Sequence, residues 1–276
     1  MRKQLPHRRV TLFFHNDPLT MEGAVTTADR LKLAAQLDAI YCVSQFVREQ
    51  FMQGLSSDID NIHTVHCGAD LSCYPVAEKR EKIIFFAGRI VAEKGILELL
   101  EAFSRVRDLI PDWRLAIAGE DKGGMLWRRL SPGCLNLGRL SHSETLQWFS
   151  RAEISVVPTV SAEPFGRVAM EAMGCGSALI TSGSGGLKEI VGDEAVVVGR
   201  PDPAVLANAI VALANDPDRR RRLQVLGKSR IARMFDINRI VEKFDDVRDQ
   251  LLTGDEPVLS QPRTVRPFSR PAAVGR

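Results

Sequence analysis

Ile83-Ile84-Phe85-Phe86-Ala87-Gly88-Arg89-Ile90-Val91-Ala92-Glu93-Lys94-Gly95 is the stretch on which the fold of this chain turns. An apolar run ends in a glycine turn that carries two cations, and over 95–109 the apolar residues recur with helical spacing. A buried strand passing through a short turn into an amphipathic helix is the β-α element from which parallel sheets are built. The alternation continues towards the C-terminus. Strands are expected over 83–87, 114–118, 135–137, 154–157, 178–181 and 195–198, with helices over 95–109, 143–152, 166–173 and 187–191. Six such strands with helical crossovers make one complete, doubly wound α/β domain with a parallel six-stranded sheet.

Ahead of Lys82 there are only about 80 residues, reading as strand 10–14, helix 26–37, strand 39–43, helix 44–55 and strand 62–66. A βαβ unit takes about 30 residues or more, so this segment is either the tail of a larger Rossmann-like domain or a very small one; it is taken as a partial N-terminal α/β domain over 1–80, followed by the complete Rossmann-like domain over 81–200. Beyond it, helical segments over 201–252 are interrupted at Asp216-Pro217 and near Phe235-Asp236. Residues 253–276 hold Pro257, Pro262, Pro267 and Pro271 among four arginines, a composition expected to be disordered.

Composition narrows the partners. With 276 residues, 45% hydrophobic and 26% charged, the chain is globular, and its apolar runs fall far short of the ~18 residues that cross a bilayer. The basic start (Arg2, Lys3, His7, Arg8, Arg9) precedes an apolar stretch too short for a signal peptide. A cytoplasmic location is expected. The five cysteines (Cys42, Cys67, Cys73, Cys134, Cys175) include no C-x-x-C pair and are expected to be reduced and structural. A net charge of +3 is too mild to indicate nucleic acid as a partner. The arginine run at 219–222 reads as a solvated helix face, against a phosphate or lipid-headgroup patch.

Two stretches carry the candidate chemistry. Gly88, Arg89, Lys94 and Gly95 occupy a strand-to-helix turn. Free backbone N–H groups and the helix dipole favour an anion there, and a planar guanidinium beside a mobile ammonium suits a diphosphate. The second stretch is Glu163-Pro164-Phe165-Gly166-Arg167-Val168-Ala169-Met170-Glu171, after the strand at 154–157. Open α/β sheets bind ligands at the carboxyl ends of their strands, and carboxylates accept hydrogen bonds from sugar hydroxyls. The competing readings are ordinary surface cations in the first stretch and, in the second, a capping carboxylate with a solvated helix residue. One phosphate-shaped and one hydroxyl-shaped element on one sheet edge describe a nucleotide-sugar pocket.

With Gly88, Arg89, Lys94 and Gly95 as a G-R-x4-K-G element and Glu163 and Glu171 as an E-x7-E element, the sequence resembles the GT4-type retaining glycosyltransferases of the GT-B fold. Leu137-Gly138-Arg139, Val157-Pro158-Thr159 and the Gly185-Gly186 turn fit the same resemblance, which spans about residues 9–250. It implies that Arg89 and Lys94 neutralise the donor diphosphate, that Glu171 holds the ribose hydroxyls, and that Glu163 with the backbone amides of Phe165 and Gly166 holds the transferred hexose, with Pro164 among the donor-binding residues. It also implies retention of anomeric configuration, no cofactor and no essential metal. His15, at the end of the first strand, matches an active-site histidine of the family; a surface histidine at a turn is the competing reading. Asp58-Ile59-Asp60 and Asp216-Pro217-Asp218 imitate a D-x-D metal motif but lie away from the donor strands, and His63 and His66 read as structural.

The stretch His15-Asn16-Asp17-Pro18-Leu19-Thr20-Met21 also resembles bacterial enzymes that add hexoses to lipopolysaccharide core. That resemblance implies a glycan or lipid-linked acceptor and peripheral contact with the inner face of the membrane, with the basic N-terminus and tail as headgroup contacts. A complete enzyme of this kind carries several strands before the histidine strand, and this chain begins just ahead of it, as expected of a fragment of an active enzyme. A decayed or regulatory donor-binding remnant, and a minimal enzyme completed by a partner chain, are the other readings of that start. At the level of activity, a nucleotide-sugar epimerase of the same fold stands beside glycosyl transfer.

Overall fold

The computed structural model describes residues 9–124, 126 and 130–253. In chain order the elements are β1 (Thr11–Phe14), α1 (Thr27–Gln36), β2 (Ala39–Cys42), α2 (Gln45–Met52), β3 (Ile62–Thr64), β4 (Glu81–Ala87), α3 (Ile96–Val106), β5 (Arg114–Ala118), β6 (Cys134–Gly138) and α4 (His142–Arg151). They continue with β7 (Ala152–Val157), α5 (Arg167–Gly174), β8 (Ala178–Thr181), α6 (Leu187–Val191), β9 (Val196–Val197), α7 (Pro203–Asn215), α8 (Pro217–Met234) and α9 (Ile237–Thr253). The chain divides into two compact units, one of residues up to His66 together with those from Ile240 onward, the other Cys67–Arg239. The division at His66 falls ahead of position 80, where the sequence pattern changes, and the chain from Ile240 groups with the first unit.

The first unit holds a parallel sheet in the order β1-β2-β3. Its central strand is buried along its whole length, as expected of a strand covered on both faces. Ile240, Phe244, Val247 and Leu251 recur at intervals of three and four, so one stripe of α9 packs on Ala39, Tyr41 and Val65. Tyr41 lies between Phe13 and Phe244, at ring-centroid distances of 4.6 and 5.1 Å. A capping box between Thr26 and Asp29 starts α1, and the Ser44 hydroxyl accepts from the Val47 amide to start α2. The N-terminal residues 1–8 and the tail at 254–276, where basic headgroup contacts and disorder were expected, lie outside the described residues.

The second unit contains the expected six-stranded parallel sheet, in the order β6-β5-β4-β7-β8-β9. The chain enters at the middle, runs outward through β5 and β6, then returns to build the other half from β7. β5 and β8 have the expected bounds, whereas β7 begins two residues before the expected Ile154 and β9 keeps only Val196–Val197. Ile84 and Phe86 face a cluster with Ile96, Leu99 and Phe103 of α3 and Leu206, Ile210 and Leu213 of α7. Phe85 faces the opposite layer, 4.9 Å from the Phe149 ring of α4.

Two guanidiniums turned in from the surface serve as helix C-caps, since the last carbonyls of a helix lack partners within it. Arg80 donates to the carbonyls of Phe149, Ser150 and Ala152 at the α4–β7 junction and to that of Cys175 after α5, at 2.6–3.2 Å. Arg220, read from sequence as part of a solvated arginine face, is instead 8% exposed. It donates to the Leu213 and Ala214 carbonyls at the end of α7 and lies over the Trp113 ring. Four adjacent residues point all round a helix, so one member of the run had to face the core.

The cysteines form no disulfide, and Cys42 and Cys175 are buried, where burial pushes each thiol up to about 12 and keeps it protonated at neutral pH. Replacing Arg80 by Met would leave four carbonyls without their donor, and a loss of about 3 kcal/mol is expected. Chemical denaturation of the purified chain measures it; an unchanged midpoint would show that these bonds contribute nothing net.

Candidate functional site

β4 and β7 are neighbours in the sheet although α3, β5, β6 and α4 separate them in sequence. The chain leaves their carboxyl ends in opposite directions across the sheet, which opens the crevice where α/β sheets bind ligands. Gly88 to Gly95 leave β4, and Pro158 to Gly166 leave β7.

These two loops meet through backbone. The Glu93 carbonyl accepts from the Val160 amide at 2.9 Å. Gly95 has φ 70° and starts α3, and a Cβ there would lie 1.8 Å from the Pro158 carbonyl oxygen. A side chain would both strain the left-handed backbone and force the loops apart. On the other side, Glu163 forms a parallel bridge with Gly185, and its carbonyl accepts from the Gly186 amide at 2.7 Å. Gly185, at φ 64°, would place a Cβ 2.4 Å from that same carbonyl oxygen. The turn after β8 thus straps the backbone of Glu163.

The side chains follow from this frame. Lys94 Nζ is ion-paired with Glu163 Oε1, and both side chains are largely sheltered from solvent. Thr159, buried at the end of β7, donates its hydroxyl to the same Glu163 oxygen at 3.2 Å. Arg89 is exposed and has no ion-pair partner among the described residues. Phe165 is buried edge-on against Phe235, with Pro164 beside it half-buried, and Gly166 caps the start of α5.

Glu171 lies inside α5 and is 6% exposed. Its Oε1 is 3.1 Å from His142 Nε2 and 3.4 Å from Arg167 Nη2. The carboxylate raises the pKa of its neighbours, adding to the burial that pushes up the Tyr74 hydroxyl and the Cys175 thiol. His142 and Thr159 are site residues that sequence reading missed. The signal for His142 was present, because Ser141 and Glu144 form a capping box that puts residue 142 in the first turn after β6.

The predicted residues therefore fall into three groups. Lys94 and Glu163 touch; Glu171 makes a separate set of contacts; His15 belongs to the first unit, exposed at the carboxyl end of β1 and stacked on Phe13 at 5.8 Å. A further cavity of about 540 Å³, lined by Leu97, Glu98, Glu101, Val160, Arg200 and Asp202 among others, contains none of the predicted residues. Among the described residues, no group of three or more His, Cys, Asp or Glu is placed to hold a metal ion. In the D-x-D look-alikes, Asp58 accepts from Ser56 and Asp216 caps α8. No described helix is long and apolar enough to cross a membrane.

Comparison with known proteins gives the setting. The glycogen synthase of Mycobacterium tuberculosis (strain ATCC 25618 / H37Rv) is 30% identical over 217 residues, covering 74% of this chain and 52% of the relative, so the chain spans about half the length of that protein. A lipopolysaccharide 1,2-N-acetylglucosaminetransferase of Salmonella typhimurium is 30% identical over 124 residues, covering 40% of this chain and 32% of the relative. Among solved structures, Anabaena HepE in complex with UDP superposes with a TM-score of 0.78 at 17% identity, covering 90% of this chain and 74% of HepE. The fold is of the GT-B type, with both parallel sheets accounted for. Residues 75–230, which contain both loops of the crevice described above, match the family of group 1 glycosyl transferases, and the chain belongs to that family.

Proposed function

We propose that the second unit binds a nucleotide diphosphate sugar and that the protein transfers its hexose, with retention of anomeric configuration, to a glycan or lipid-linked acceptor. The observation that carries this reading is the meeting of Lys94 and Glu163 across the β4–β7 crevice, which sets a cation suited to phosphate beside a carboxylate suited to sugar hydroxyls. Arg89, exposed on the same loop as Lys94, adds a second cation for the departing diphosphate. In this reading the two side chains supply the counter-charge of the leaving group, and no metal ion or cofactor is required. HepE has been solved with UDP, which supports a nucleoside diphosphate as the core of the donor.

For the acceptor we propose a lipopolysaccharide-core or related glycan met at the inner face of the membrane by a cytoplasmic protein. The stretch from His15 to Met21 supports this reading, as does the partial match to the Salmonella enzyme. His15 is assigned to the active site on the resemblance that its place at the end of β1 carries.

Thermal shift with UDP, GDP, ADP and CMP identifies the base, because a ligand that binds the folded state raises its melting temperature. With that nucleotide, Arg89→Ala or Lys94→Ala is expected to weaken diphosphate binding about 10- to 100-fold while leaving nucleoside binding within a few-fold, as loss of a charge-assisted bond predicts. Equal losses for both ligands would overturn the diphosphate assignment. Glu163→Ala is expected to lower turnover by about 100-fold or more with free-nucleotide affinity nearly unchanged; collapse of nucleotide affinity would refute a sugar-side role. Turnover by His15→Ala is expected to fall at least about tenfold, and unchanged turnover would remove His15 from the active site.

A further inference from the structure

Burying a carboxylate is costly unless charge and hydrogen bonds compensate it. At Glu171 the compensation is one-sided. Both recorded donors, His142 Nε2 and Arg167 Nη2, address Oε1, and no hydrogen bond among the described residues reaches Oε2. Arg167 sits one turn back on the same helix. His142 comes from another element, 29 residues away, and is the first residue of α4.

An ionised carboxylate only accepts hydrogen bonds, so the imidazole nitrogen 3.1 Å from Oε1 carries the proton. The position of that donor is fixed by backbone. Ser141 and Glu144 cap each other at the start of α4, with the Ser141 amide donating to Glu144 Oε2 at 2.8 Å. The imidazole is 60% exposed and the Arg167 side chain 65%, whereas Glu171 between them is only 8% exposed. Loss of the imidazole therefore removes little buried surface from the fold.

We propose that His142 is a positioning residue for nucleotide recognition: by engaging Oε1 from a separate helix it fixes the plane of the Glu171 carboxylate and leaves Oε2 to accept the ribose hydroxyls of the donor. This inference rests on the reading of Glu171 as the ribose-binding carboxylate. With the imidazole removed, Arg167 alone holds Oε1, at 3.4 Å and from an exposed side chain. The carboxylate then rotates more freely, and the ordering of its side chain falls on the ligand.

Calorimetric titration of the full chain with UDP, GDP and ADP, each beside its 2′,3′-dideoxy analogue, tests the assignment. His142→Ala is expected to weaken the preferred ribose-bearing diphosphate about tenfold and to leave its dideoxy analogue unchanged. His142→Gln, whose side-chain amide can donate towards the same oxygen, is expected to recover most of that loss. A structural role would weaken both ligands equally and would overturn the inference. Glu171→Gln, similar in shape to the native side chain, separates the two levels. If it abolishes the preference for ribose while His142→Ala leaves that preference intact, the role of His142 is wrong and that of Glu171 stands. If the unaltered protein shows no preference for ribose, or Glu171→Gln retains it, the reading of Glu171 is wrong and the inference falls with it.

Discussion

The carboxyl edge of the six-stranded sheet depends on one close backbone approach, that of Gly95 to the Pro158 carbonyl. Parallel strands on either side of a switch point send their loops apart, so such loops meet only where the backbone lacks a side chain to hold it off. Once Gly95 admits Pro158, the Glu93 carbonyl reaches the Val160 amide, and Lys94 is delivered to the loop that carries Glu163. Gly185 makes the equivalent approach from the other side, against the Glu163 carbonyl. Glu163 is thus held by its backbone from the β8 turn and by its carboxylate from Thr159 and Lys94.

Cations are used in two distinct ways in the second unit. Arg80 and Arg220 are turned inward onto carbonyl groups at helix ends, where a guanidinium with five donors can satisfy several acceptors at once. Arg30 does the same in the first unit, donating to four carbonyls between Ala24 and Gln53. Arg89 and Lys94 remain in the crevice, one without an ion-pair partner among the described residues and the other paired to a carboxylate. The acceptors differ. Arg80 and Arg220 are held chiefly by main-chain carbonyls, with the Glu153 carboxylate also pairing Arg220, whereas Lys94 is paired to the carboxylate of Glu163 in the crevice.

The sequence was informative where period and turn chemistry act locally. Apolar runs between helical stretches placed all six strands of the second sheet, and Asp216-Pro217 and Phe235-Asp236 marked real helix ends, because an Asp cap and a Pro at the first helical position act within one turn. What stayed hidden arises from contacts between distant residues. Nothing adjacent to Arg220 in sequence distinguishes it from Arg219 or Arg221; its burial follows from the direction it faces and from the end of α7 beside it. His142 is comparable. The capping box placed it in a first turn, but its partner Glu171 lies on the helix that follows β7, which is three strands from β6 in the order of the sheet, beyond β5 and β4.

That distance explains why the two carboxylates of the E-x7-E spacing differ in kind. Glu163 lies in a loop and is held by neighbouring loops, its carboxylate by Lys94 and Thr159 and its backbone by Gly185 and Gly186. Glu171 lies about one turn into α5, is nearly sealed from solvent, and takes its donors from α4 and from its own helix. The loop carboxylate is held by an ammonium and a hydroxyl from two neighbouring turns, the helix carboxylate by an imidazole and a guanidinium. The sequence pattern records two glutamates at a fixed spacing; the difference between them comes from the elements that surround each one.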